Sequence, residues 1–532
     1  MRNIRTWADI EAARAAGELT SAEEKLIDGC LTGKGCVLGD GTRPTAPSDA
    51  RTIHADLLRY LITGGGDGCV VHDLGVQLKG AYVPDMLDLD YAQAKGATLL
   101  KHSHFEKTIF AQYCHFNTLS LLGSALQQGL NAQGSVIDGS VFLRTGFTAK
   151  GRVAFNSAKI GGQLDCHGGQ IEVTDGHALN VQNAQISGNV FLSEGFSAKG
   201  RVTLGGAKIT GQLACVRGQF HAEKGPALYL QGTQAAHFFW RGVTEISGDL
   251  DLTGAHFDTL VDDQESWESV KGLSLIGLTY THITNPGDTA KRLEWLGKGH
   301  EMNGEFSPQP YTQLAKVLRE MGHDHGARQV LLAKEKRLAQ AEKQRGRDRI
   351  AAQKAEHAKP AFQKKSQQAQ QNSQVELTKL REEQFFATLW SGTLRRLVGY
   401  GYKPRLIFYW TGGVILAIAV LSSLTYRLGG MVPNAPVVLL SDEWGRAVIE
   451  FNPAEAWLAT PAGQHYETFC ALAYAADVFI PLVPLGQEVA WAPTTATKLG
   501  AVLWVLNWLV KLAGWFITAL GAAAIAGVIR RE

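Results

Sequence analysis

Charged side chains inside otherwise apolar stretches are the residues of this 532-residue chain that ask most directly for a chemical role. Lys511 interrupts the apolar run from Leu499 to Ile529, and Asp477 interrupts the run from Cys470 to Leu485, which Pro481 and Pro484 also break. A charge in a hydrocarbon setting is costly enough to mark a pathway or a pair. Asp477 and Lys511 are therefore the candidate membrane pair, and the proline-broken segment with Pro481, Pro484 and Glu488 is the candidate re-entrant element. The plainer alternative has Lys511 snorkelling beside Trp504, Trp508 and Trp515, because Leu512 to Ile529 alone is long enough to cross.

Other chemistry-bearing residues carry weaker signals. His102 and His104 fall on one strand face and could ligate a metal, yet no acidic or cysteine cluster accompanies them in sequence. His323 and His325 flank Asp324 at a helical turn, where polar residues commonly cap. The string Val398 to Gly401 (VGYG) spells a potassium-filter tetrapeptide, but it precedes the first apolar helix instead of following a pore helix, so it reads as a membrane-surface turn. The glycines at 33–35 and 64–66 match neither phosphate-binding fingerprint. Seven cysteines, at 30, 36, 69, 114, 166, 215 and 470, include no CxxC pair. No catalytic, cofactor-binding or metal-ligating residue is expected, and no cofactor.

The elements that must position these residues divide the chain. Leu406 to Leu424 is an uncharged run of 19 residues, and about 20 residues of helix span a bilayer core. The second run, Leu499 to Ile529, is longer still. Arg395, Arg396, Lys403 and Arg405 precede the first run and Arg530 and Arg531 follow the second, whereas the loop between them is rich in acids. The positive-inside rule then places both ends of the chain in the cytoplasm, although Arg427 tempers the asymmetry. The opening stretch MRNIRTWADIEAARAAGEL lacks an apolar core of secretory length, so the soluble part is expected to stay cytoplasmic. Residues 469–486 are too short for a full crossing, and are either re-entrant or interfacial, or an apolar patch of a small external fold.

Self-comparison organises the soluble part. GSVFLRTGFTAKGRVAFNSAKIGGQLDCHGGQ (139–170) recurs as GNVFLSEGFSAKGRVTLGGAKITGQLACVRGQ (188–219), 49 residues on. A finer unit begins at Ile137, Ile160, Ile186, Ile209 and Ile246, alternating apolar and polar residues with turn glycines. Such units cannot bury an apolar face alone and must stack, so the 49-residue repeat is two coils of a β-helix. The longer last step is assigned to a loop protruding near His237–Arg241. Weaker units at Val83 to Leu89 and Phe105 to Leu121 extend the stack, and residues 272–283 close it. Cys166 and Cys215 then stand two coils apart, too far for a disulfide, and are core thiols.

Before the repeats, Thr20 and Glu23 have capping-box spacing and ARTIHADLLRYLITGGG is an amphipathic helix ended by glycines. After them, residues 306–338 read as two helices broken at Gly322, with Leu314, Val317, Leu318 and Met321 facing Ala327, Val330, Leu331 and Ala333. Lys334 to Lys365 carries eleven basic residues against four acids and is either a long solvated helix or a flexible linker. Its positive excess could attract anionic lipid.

The expected organisation is thus mainly β: a right-handed parallel β-helix (solenoid) with N-terminal capping helices, a helical hairpin, a linker and a C-terminal α-helical transmembrane unit. The boundaries are 1–70 for the helical cap, 71–285 for the solenoid, 286–340 for the hairpin module, 341–390 for the linker and 391–532 for the membrane domain. Within the last, the spans are 406–426 and 499–529, with 469–486 as the re-entrant or interfacial segment. A net charge of +2 says little about partners. Membrane lipid, a protein on the solenoid surface and a second copy of the chain are the expected ones, with no nucleic acid.

The combination of ADLLRYLITGG, the repeated IxGxLxL coils, FSPQPYTQLAKVLREMGHDHGARQVLLAKEK, GYGYKP, ALAYAADVFIPLVPLGQE and GWFITALGAAAIAGVIRR resembles a group of bacterial membrane proteins with pentapeptide-like β-helix repeats. The similarity covers nearly the whole chain apart from the Lys/Gln-rich linker. Members are often labelled "membrane-associated oxidoreductase", and the resemblance implies a bacterial inner-membrane location and, through that label, a redox activity. It supplies no catalytic residues that transfer position by position. The expectation drawn from the residues is a membrane-anchored cytoplasmic scaffold or sensor presenting a solenoid surface. The alternatives are a channel or transporter subunit using the re-entrant segment, and a membrane-associated oxidoreductase.

Overall fold

Apolar residues recurring every 21 to 26 positions stack into columns, because parallel strands about 4.8 Å apart place equivalent side chains directly over one another. In a computed structural model that describes residues 3–302, 304–359, 367–403, 405–480 and 483–526, one such column runs Leu87, Ile109, Leu130, Val153, Leu179, Val202, Leu228, Leu250 and Leu273. These nine rungs count the turns of a parallel β-solenoid. A second column runs Val76, Thr98, Leu119, Val141, Leu164, Val190, Leu213, Phe238, Leu260 and Ile283. Every member of the second column is buried. Two further columns, from Val83 to Ile246 and from Phe116 to Tyr280, complete four walls to each coil.

Register confirms the two-coil reading of the long repeat, since Leu164 pairs with Val190 and Val190 with Leu213. Cys166 and Cys215 are buried free thiols, and desolvation pushes both far above the ordinary thiol range. The placement of the fifth repeat unit needs correction. Ile137, Ile160, Ile186 and Ile209 share a column, but its next member is Ala235. Ile246 belongs to a different wall, stacked on Phe220. No loop protrudes at 237–241: Gln234–Trp240 is a strand in the stack, with Phe238 and Trp240 fully buried. The 37-residue step crosses from one wall to another, because both walls present the same inward apolar pattern.

The turns between walls are left-handed at one corner of every coil. Tyr91, Tyr113, Gly134, Ser157, Asn183, Gly206, Gly232, Gly254 and Gly277 occupy successive rungs, all with positive φ. Glycine is the low-strain solution there. At Gly134 a second reason applies, since an added Cβ would lie 2.6 Å from the Tyr113 ring.

The chain divides into two units, Met1–Lys334 and Glu335–Glu532. In the first, helices Trp7–Ala15, Ser21–Thr32 and Ala55–Ile62 precede the coils, and the Thr20/Glu23 capping box is present. After the last coil, helix Gln309–Glu320 seats on the strand Thr279–Ile283: Gln309 Nε2 donates to Leu278 O at 3.0 Å and Gln313 Nε2 to Tyr280 O at 2.5 Å. Its buried Leu314, Val317 and Leu318 meet the start of the helix Asp324–His357, where Ala327, Val330 and Leu331 are buried. Gly322 makes the turn between them with φ +82.

In the second unit, the described part of the basic segment is helical. Asp324–His357 continues into it and Gln367–Leu397 follows. The two run side by side, with Gln384 Nε2 donating to Lys343 O at 3.1 Å and Gln353 Nε2 to Glu376 at 3.3 Å. The apolar helices Arg405–Arg427 and Lys498–Ile525 are long and apolar enough to cross a membrane. They are joined at one end by the antiparallel strands Met431–Pro433 and Trp491–Pro493.

Candidate functional site

Between those strands the chain makes a helix-and-loop hairpin that lies along both apolar helices. Helix Ala471–Phe479 buries Tyr474, Ala475, Val478 and Phe479 in one cluster with Ile418 and Ala419 of the first apolar helix and Leu503, Val510 and Ile517 of the second. It stops at Ile480, whose extended conformation (φ −94, ψ 102) is the one preferred before a proline. Pro481 itself lies outside the described residues, and Pro484 is exposed in the returning arm.

The two arms are tied where they begin and end. Cys470 N donates to Gln487 Oε1 at 2.9 Å, Gln487 Nε2 donates to Glu467 Oε1 at 2.7 Å and Thr468 O at 3.1 Å, and Trp491 Nε1 donates to Glu467 O at 2.9 Å. The tip reaches Gly514, where a Cβ would sit 2.0 Å from Phe479 O, so only glycine lets the tip carbonyl rest on the second helix. Gly514 is about 24 Å along that helix from Lys498 at 1.5 Å per residue. The hairpin therefore runs down more than half of the helix and returns.

The direct Asp477–Lys511 pair expected from the sequence is replaced by a relay. The Lys511 ammonium meets the Glu488 carboxylate and lies 5.9 Å from the Trp508 ring centroid. Asp477 instead accepts the N–H groups of Leu485 and Glu488, both at 2.7 Å. The reason is local: the returning loop leaves those two amides without ladder partners, and a carboxylate in the last turn of the preceding helix satisfies both. Glu488, held by that contact, is the carboxylate level with Lys511.

Sequence reasoning missed Asn507, whose Nδ2 donates to the Tyr474 hydroxyl at 2.7 Å. Its signal was available, since Asn507 and Lys511 are four residues apart and share the helix face turned to the hairpin. It also missed Gln487, buried and bonded to both arms.

The first unit has a second concentration of buried charge. Arg292 makes a bidentate pair with Asp262 at 2.5 and 2.8 Å and donates to Pro286 O and Asn285 O, while Trp267 Nε1 donates to Asp262 at 2.6 Å. A cavity of about 280 Å³ opens beside it, lined by Trp267, Trp295, Asp288 and Lys298 among others. With its polar groups consumed, this pair fastens helix Thr289–Gly299 to the solenoid.

His102 and His104 do not form one ligating face, because His102 sits at a left-handed corner (φ 46) while His104 pairs with Glu106 and stacks on Tyr82. His325 hydrogen-bonds Gln329 along its helix. Gly399–Gly401 is a short 3-10 turn whose Tyr400 hydroxyl bonds Ser391. Among the described residues no group of three or more His, Cys, Asp or Glu side chains is placed to hold a metal ion. No family model matches the chain, and neither the curated proteins nor the solved structures compared with it gave a match.

Proposed function

We propose that the chain is a membrane-anchored scaffold or sensor, with the solenoid on the cytoplasmic side of a bacterial inner membrane and both chain ends facing the cytoplasm. The observation that carries this reading is the exposure of the two apolar helices. Phe408, Tyr409, Leu416, Val420, Trp508, Leu512 and Trp515 are each more than half exposed, and contiguous apolar surface of that kind is covered by lipid or protein in a working molecule. A core helix of a soluble protein would have these side chains buried. The hairpin then serves as a re-entrant wedge that spaces the two spans. The coils wind right-handed, as parallel crossovers do, with the N-terminal helices capping the first of them. The solenoid walls offer a long, regular surface to a protein partner or a second copy.

The engagement of Asp477, Glu488 and Lys511 with one another supports a structural role for the hairpin over an ion path. An oxidoreductase activity rests only on the resemblance label. Fractionation tests the reading: the full chain should stay with membranes through an alkaline wash, and residues 1–334 alone should be soluble. Release of the full chain by the wash would end it. Proton or ion flux through reconstituted liposomes would favour a channel, and flavin, haem or iron–sulfur absorbance in the purified protein would favour the enzyme.

A further inference from the structure

The alternation of coil length cuts a groove into one solenoid wall. Most steps of the nine-rung column are 21 to 23 residues, but Val153 to Leu179 and Val202 to Leu228 are 26. The surplus residues, 173–176 and 222–225, fall outside the strand register and stand as two prongs two rungs apart. The coil between them turns directly through Gly200 (φ +114), where a Cβ would strike Val173 at 2.3 Å. A groove of about 550 Å³ results, with Lys199 and Arg201 on its floor.

Arg201 is the unusual group there. Its Nε is buried without a hydrogen-bond acceptor, and among the described residues no carboxylate pairs with its guanidinium. The tip of that guanidinium lies against Gly225 of the second prong. His177, its register partner on the neighbouring rung, likewise has a buried Nδ1 without a partner. The nearby acids are engaged or outward: Glu172 pairs with Lys199 at 3.0 Å and Glu245 with His221 at 3.7 Å, while Asp175 and Glu223 are exposed on the prongs. Burial first, and then the charges of Arg201 and Arg152, hold the His177 imidazole below its usual range.

We propose that this groove binds a phosphate-type oxyanion, received by the outer N–H groups of the Arg201 guanidinium on its floor, with His177 on the neighbouring rung as a nearby reporter of its charge. The planar fork of a guanidinium presents parallel donors to the several acceptor oxygens of a phosphate. Water could satisfy a lone N–H but would not neutralise the charge. The phosphate could belong to a soluble ester or to a lipid headgroup, and both present the same oxygens.

The test uses the full chain in neutral detergent at low salt. Titration calorimetry with inorganic phosphate should show saturable binding at about millimolar concentration or below. Arg201→Gln should weaken it by about tenfold or more, whereas Lys150→Gln, exposed and outside the groove, should change it by less than about threefold. Arg201→Lys, which keeps the charge and loses the fork, covers the case in which the glutamine variant fails to fold. In NMR, phosphate should raise the His177 pKa in the parent protein and not in the Arg201 variant. Glycerol 3-phosphate and short-chain phosphatidic acid separate the sources: equal affinity assigns a soluble ester, and a preference of about tenfold or more assigns a lipid. Absence of binding together with an unmoved His177 overturns the proposal, leaving those N–H groups as merely hydrated.

Discussion

In the solenoid, Leu164, Val190 and Leu213 are sealed by the coils above and below them, whereas Phe408, Leu416, Leu512 and Trp515 of the second unit point away from every described neighbour that could cover them. Both regions are rich in apolar residues, yet the first is covered by its own chain and the second is left exposed among the described residues. Periodicity tells them apart. Alternation with a glycine or polar residue every few positions makes a wall with one inward face, while an unbroken run makes a helix that is apolar all round. Solenoid charges such as Lys150 and Lys199 are exposed, the first at a turn and the second on a strand, whereas Asp477 and Glu488 of the hairpin and Lys511 of the second apolar helix are bonded to one another or to backbone.

The sharpest way to break this contrast is to put a charge into a solenoid column. Leu164→Asp or Leu213→Asp buries a carboxylate among fully enclosed apolar rungs and should cost about 3–5 kcal/mol or abolish folding. Lys150→Asp should stay within about 0.5 kcal/mol. Denaturant titration followed by far-UV circular dichroism measures both, and equal tolerance would mean that the register is wrong.

A smaller effect is expected in the hairpin. Asp477→Asn should weaken the hold on the amides of Leu485 and Glu488 by about 1–3 kcal/mol. Lys511→Met and Glu488→Gln should each destabilise, and the double variant should recover part of the loss, a coupling of about 0.5 kcal/mol or more. Asp477→Asn with Lys511→Met should be closer to additive, because Glu488 stands between them. Stability in detergent, read as a double-mutant cycle, separates the two patterns.

Thiol chemistry gives the smallest readout. Burial raises the thiol pKa of Cys30 and Cys114 to about 12 and that of Cys36 to about 11, and Cys69, Cys166 and Cys215 are buried as well. Six thiols should therefore stay silent towards a maleimide at pH 7–8 and react only on unfolding, because the thiolate is the reacting form. Cys470 is exposed and should react in the folded protein.

The repeat, its coils and their inward leucines were legible in the sequence because equivalent residues recur at a near-constant interval. What misled was Ile246: the four walls share one inward apolar pattern, so the motif ISGDLDL does not say which wall it builds, and only the strand register does. The basic segment was ambiguous on composition, and its described residues resolve as paired helices. At the candidate site, the sequence singled out Asp477 and Lys511 as a candidate pair and Pro481, Pro484 and Glu488 as part of a candidate re-entrant segment. It could not choose Lys511's partner, because depth along the hairpin, set by the tie at Gln487 and the tip at Gly514, is a property of the packed chain.

The proposed topology puts the solenoid and the strand-tied end of the hairpin on opposite sides of a membrane. Labelling with a membrane-impermeant maleimide in sealed right-side-out vesicles tests it most directly, using native Cys470 at the hairpin entrance and Lys150→Cys on the solenoid surface. Cys470 should label in sealed vesicles and the cysteine at 150 only after they are broken. Labelling of position 150 in sealed vesicles, or protection of Cys470 until they are opened, would contradict the account.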